Sequence, residues 1–65
     1  MQPAPDQIRK LRHEAGLTQE TAARLVHVSD GRAWRRYESG QHEMHGAIWE
    51  LFRIKVDKIF RARLR

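Results

Sequence analysis

Residues 17–40 read LTQETAARLVHVSDGRAWRRYESG, and their punctuation predicts two short helices joined by a tight turn. Thr18 is a good N-cap, because its hydroxyl can accept a bond from a free N–H at a helix start. Glu20 follows in the first turn, where the helix dipole favours a negative charge. Ala22, Ala23, Leu25 and Val26 supply a small apolar face at helical spacing, suited to close helix–helix approach. His27 and Val28 break that pattern. Ser29 and Asp30 are both N-cap candidates; Asp30 is preferred, with Gly31 as the first helical residue. Trp34 and Tyr37 sit three apart on one face of the second helix. Arg32, Arg35 and Arg36 project from the rest of its circumference. Ser39-Gly40 ends it, because Gly readily takes the left-handed C-terminal conformation.

Two helices of roughly eight residues with a short turn between them form a helix-turn-helix pattern. In this order and spacing, Leu17-Thr18-Gln19, Ala22-Ala23, Val28-Ser29 and Tyr37-Glu38-Ser39-Gly40 resemble the Cro/C1-type (XRE-like) helix-turn-helix DNA-binding proteins. Trp49-Glu50-Leu51-Phe52 looks like the tail of small regulators from phages and mobile elements, including anti-CRISPR-associated autorepressors. The resemblance covers about residues 5–56. One departure stands out: four residues, Asp30 to Ala33, separate the turn Ser29 from Trp34, where the family usually has three. The departure leaves open which side chain takes the first base-reading position.

The resemblance implies an all-α, lambda-repressor-like domain of four to five helices. It implies sequence-specific binding to double-stranded DNA, as a repressor and as a homodimer on an inverted repeat. It implies that Thr18 and Gln19 contact phosphate, with Gln19 next to the first base read. It also implies a partly buried ion pair between Arg12 and Glu38 that positions the second helix of the motif.

Composition sets outer bounds. Sixty-five residues make one domain. A chain of this size buries only ~60% of its unfolded surface and is marginal alone. Without Cys it has no disulfide staple and no thiolate metal site, so a second copy is the natural source of further buried area. The 13 Lys+Arg against 8 Asp+Glu give a net charge of +5, which favours an anionic partner. No apolar run approaches the ~20 residues that span a bilayer, and no signal-peptide core is present, so a cytoplasmic location is expected.

Outside the central stretch, residues 1–4 are expected to fray. A first helix is expected over 5–15, with Pro5 at its first position and Ile8, Leu11 and Ala15 on its buried face. The motif helices are expected at 19–26 and 30–38. Gln41 to His45 reads as a polar loop. His42 and His45, three apart, make no metal signature without a third ligand of known position. A fourth helix begins near Gly46, and its apolar residues cover about half the circumference. That arc suggests two contacts: Ile48, Leu51 and Phe52 on the core, and Val56, Ile59 and Phe60 on a second chain. Lys55 interrupts the arc, so a bend or restart is expected near Asp57. The division expected is a helix-turn-helix domain over 5–56 and an extension over 57–65 that ends in a basic tail.

Arg32, Arg35 and Arg36 are the candidate base readers, since the Arg fork can bond guanine O6 and N7 together. Thr18 and Gln19 stand at a helix N-terminus, a natural anion site. Arg24, Ser39 and Gln41 are secondary phosphate candidates. Trp34 and Tyr37 are read as core rather than as stacking platforms, because they share the inner face. No nucleophile–base–orienter set is visible, so no enzyme and no cofactor are expected. With one domain expected, repression would act by occluding a promoter. Two other readings stay open: the antitoxin of a toxin–antitoxin pair, with a toxin on the fourth helix, and a protein-interaction module gripping an acidic partner.

Overall fold

The computed structural model describes residues 2–64. Four helices make up the described chain: α1 Pro5–Glu14, α2 Gln19–Leu25, α3 Gly31–Ser39 and α4 Gly46–Arg63. No strand occurs among the described residues, and no described helix is long and apolar enough to cross a membrane.

Local chemistry sets each boundary. Pro5 opens α1, and the Gln7 Oε1 atom accepts from the Ala4 N–H at 2.8 Å. Gly16 ends α1 at φ +71°, with the Leu17 N–H reaching back to the Arg12 carbonyl at 3.1 Å. Thr18 caps α2 by accepting from the Thr21 N–H at 3.0 Å. The end of α2 repeats the α1 device on a different residue. His27, at φ +63°, takes the left-handed position. The Val28 N–H then bonds to the Ala23 carbonyl at 2.9 Å and the His27 N–H to the Arg24 carbonyl at 3.3 Å. Those bonds satisfy carbonyls of the last turn of α2, the Ala23 carbonyl also accepting from the Val26 N–H at 3.3 Å.

Asp30 caps α3 through an Oδ1 bond from the Ala33 N–H at 3.0 Å, and Gly31 is the first helical residue. Gly31 lies against α2. A Cβ there would sit 3.3 Å from the Glu20 nitrogen, and the Gly31 N–H donates to Glu20 Oε2 at 3.0 Å. The extra residue of the turn is thus absorbed where the two helices touch backbone to side chain.

The core gathers Ile8, Trp34, Met44, Phe52 and Val56, all essentially inaccessible, around the fully covered Ala22 and Ala23. Trp34 packs edge-on to Phe52, ring centroids 4.8 Å apart, and edge-on to Tyr37 at 6.2 Å. Two alanines on α2 let α3 approach closely, and the Trp34 indole fills the space behind.

Four expectations change. The stretch 41–45 is not wholly polar in role: Met44 plugs the core from the loop. The fourth helix neither breaks nor restarts at Asp57 but runs unbroken over Gly46–Arg63. Lys55 is half-buried and interrupts the arc in sequence without breaking the helix. Val56, expected on a second chain, is 1% exposed and belongs to the chain's own core. The expected basic tail is largely engaged as well. Arg63 donates to the Ala15 carbonyl at 2.6 Å, at the C-terminus of α1, while Arg61 pairs with Asp57 at 2.9 Å. A cation at a helix C-terminus is favourably placed against the dipole. Arg65 of that tail lies outside the described residues.

Candidate nucleic-acid interface

Successive residues of a helix are about 100° apart, so α3 sorts its side chains by number. Trp34, Glu38 and Tyr37 point inward, the first two buried. Arg32 and Arg36 flank the line opposite Trp34, and Arg35 lies toward α2. All three are exposed, and none has an ion-pair partner among the described residues. Three guanidinium groups therefore stand on one outer face with their donors uncommitted to protein carboxylates.

The N-termini of α2 and α3 lie side by side. Thr18, Gln19, Glu20, Asp30, Gly31, Arg32 and Arg35 line one open groove between them. Arg36 opens instead onto a shallow recess with Ala33, Tyr37, His42 and Glu43. So Arg32 and Arg35 share a site with Thr18 and Gln19, and Arg36 borders it from the far side. Arg24 is exposed in the last turn of α2 and lines neither recess. Ser39 donates its hydroxyl to the Arg36 carbonyl at 3.1 Å and accepts the Gln41 N–H at 3.3 Å. Ser39 and Gln41 thus form the turn that closes α3.

Glu20 and Asp30 were not singled out in the sequence as site residues, yet both line the groove. Each uses one carboxylate oxygen on the start of α3, Glu20 Oε2 on the Gly31 N–H and Asp30 Oδ1 on the Ala33 N–H. Their charge offsets the positive end of the α3 dipole. A carboxylate at the start of α3 suits an exposed amino group such as cytosine N4.

Behind the outer face, Glu38 anchors α3. It is 6% exposed. Arg12 grips it with two bonds, Nε to Oε2 at 2.5 Å and Nη2 to Oε1 at 2.9 Å. The Trp34 indole N–H donates to Oε2 at 2.6 Å and Gln19 Nε2 to Oε1 at 3.3 Å. Arg12 also donates through Nη1 to the Leu17 carbonyl at 3.0 Å. One carboxylate thereby ties α1, α2 and α3 together. Burial pushes the Glu38 pKa up, but the bonds from Arg12 and Trp34, the Arg12 charge and the Gln19 bond outweigh it, and the carboxyl lies below its ordinary value. Gln19 spends an amide N–H on this anchor, which fixes its side chain at the rim of the groove.

No cluster of three or more His, Cys, Asp or Glu that could hold a metal ion occurs around His42 and His45 or elsewhere among the described residues. His45 instead caps α4, accepting from the Ala47 N–H through Nδ1 at 3.1 Å.

A family model described as a helix-turn-helix domain matches residues 6–52. Part of a type II methyltransferase, M.MspI, from a Moraxella species is 38% identical over 56 residues, which is 85% of this chain and 13% of that protein. The chain thus spans only a small part of the length of the curated relative it matches.

Proposed function

The chain belongs to the helix-turn-helix domain family, a fold capable of binding DNA, and on that premise we propose that it is a sequence-specific reader of double-stranded DNA that represses transcription as a homodimer on an inverted repeat. The observation that carries the reading is the outer face of α3, with three exposed arginines, two of which, Arg32 and Arg35, share a groove with the N-terminus of α2. In the proposed complex α3 lies in the major groove. Arg32, Arg35 and Arg36 reach base edges, preferring guanine. Thr18 and Gln19 hold a phosphate at the start of α2, and Arg24, Ser39 and Gln41 extend the backbone contacts. Those phosphate contacts set register, while the arginines set sequence. Two copies place their α3 helices in successive major grooves about one turn apart.

The proposed setting is a phage or mobile-element regulator acting in the cytoplasm, including anti-CRISPR-associated autorepression; the Trp49-Glu50-Leu51-Phe52 stretch supports it. An antitoxin would share the DNA face and carry a toxin on α4. The likeness to part of a type II methyltransferase favours one further reading, in which a domain of this kind controls or targets such an enzyme.

Salt dependence tests the reading. A dimer that neutralises about 6 phosphates shows affinity for duplex DNA falling with a log–log slope of about −5 against salt. A flat salt response, or equal binding to duplex and to an acidic protein surface, would replace DNA with an acidic protein partner.

A further inference from the structure

The apolar arc of α4 is used within the chain, with Phe52 and Val56 buried and Ile48, Trp49, Leu51 and Phe60 packed around them. A different face is left outward. Ile54 is half exposed there. Glu50, Arg53, Ile54, Asp57, Lys58 and Arg61 line one shallow groove along the helix. At about 100° per residue, these six fall on one side of α4.

Glu50 and Lys58 stand symmetrically about Ile54. Glu50 precedes Ile54 by four residues, and Lys58 follows by four. A second α4 laid antiparallel on the first, with Ile54 on the two-fold axis, sets Glu50 of each copy opposite Lys58 of the other. Ala47 and Arg61 stand seven residues before and after Ile54, so a small side chain lies beneath a long one. The intrachain pair of Arg61 with Asp57, at 2.9 Å, already orders two of these side chains.

We infer that this face of α4 is a self-complementary surface for a second copy of the chain, joined antiparallel through Ile54. The inference rests on the homodimer proposed above and names its surface. Two copies carrying +5 each repel on approach. The arginine face of α3 adds to that repulsion. On the α4 face Glu50 and Lys58 carry opposite signs at mirrored positions, which a two-fold axis converts to attraction, as an isologous contact requires. It also leaves the α3 face free for DNA.

The absence of Cys makes the test clean. Ile54→Cys introduces a single thiol that meets its own copy on the axis. Mild oxidation of the purified chain is expected to convert Ile54→Cys to a disulfide-linked dimer, read on a non-reducing gel. Ile59→Cys, half-buried on another side of α4, stays monomeric on the same gel. In sedimentation equilibrium, Glu50→Lys raises the dimer dissociation constant about tenfold, because two like-charged pairs replace two opposite ones. Adding Lys58→Glu to Glu50→Lys restores it to within about threefold. Cross-linking at Ile59 in place of Ile54, or an unchanged constant for Glu50→Lys, overturns this surface while the homodimer stands. A monomeric mass for the unaltered chain, free and on DNA, removes the homodimer together with its surface.

Discussion

Replacing Glu38 by Gln tests the link between the buried anchor and the DNA face. The substitution keeps the shape of the side chain and removes its charge. Glu38 accepts four hydrogen bonds, two from Arg12 and one each from Trp34 and Gln19. A Gln amide offers one acceptor oxygen and turns an NH2 group toward donors, so at least one donor on that side loses its partner. The Arg12 side chain is 12% exposed, and its charge is then left uncompensated in a poorly solvated place. Breaking a buried pair in this way costs about 3–5 kcal/mol. The whole fold of a 65-residue chain is held by roughly 3–10 kcal/mol. We therefore expect Glu38→Gln to lose about 3 kcal/mol and to lower the melting temperature by about 12–24 °C. Urea unfolding followed by helical circular dichroism measures it. A loss below about 1 kcal/mol would refute the claim that Glu38 ties three helices together. The same carboxyl sets an acid limit. Its folded pKa lies below its unfolded one, so its contribution is complete above about pH 4.3 and is lost as pH falls through the folded value. In Glu38→Gln that part of the acid dependence disappears.

Other substitutions probe single elements. His27→Gly removes a side chain from a left-handed position that costs a non-glycine residue about 1–2 kcal/mol; after the entropy cost of glycine, a gain of about 0.5–1 kcal/mol is expected in urea unfolding, and a loss would show that the imidazole itself supports the turn. Arg63→Ala removes the guanidinium from the end of α1 and is expected to cost about 1 kcal/mol; hydrogen exchange that quickens at the last turn of α1 would locate the effect there, and unchanged protection would contradict it. Arg36→Ala is expected to weaken binding to the selected DNA site by about 1–3 kcal/mol and to relax one base position; an equal loss on selected and random duplex would reduce Arg36 to a phosphate contact.

Much of the frame was legible because short-range chemistry wrote it. Thr18 and Asp30 are caps whose oxygen reaches an N–H three residues on, and the structure uses both so. Gly40 at φ +82° is likewise readable from its type. Trp34 and Tyr37 share a face by spacing alone. The rest depends on tertiary contacts. His27 holds a position that composition would give to glycine, so the turn it makes is invisible to a residue-type argument. Met44 enters the core from a loop, and nothing in Gln41 to His45 marks it. The fate of Val56 depends on how α4 docks on the rest of the core, which periodicity does not report. At the site, Arg12 with Glu38 came from resemblance, whereas the Trp34 and Gln19 bonds to the same carboxylate emerge only once the helices pack. The i, i+4 spacing of Trp34 and Glu38 was the one local signal for that bond. Arg63 is a further case: a terminal arginine reads as solvated until the end of another helix is found beneath it.

The central claim is that the outer face of α3 reads duplex sequence. The most direct measurement is a selection from random duplex DNA by the purified chain, with the enriched pools sequenced. A two-fold symmetric motif is predicted, with guanine-rich half-sites whose centres lie about 10 base pairs apart. Failure of a folded, helical chain to enrich any motif would contradict the claim and leave Arg32, Arg35 and Arg36 as a charged face for another partner.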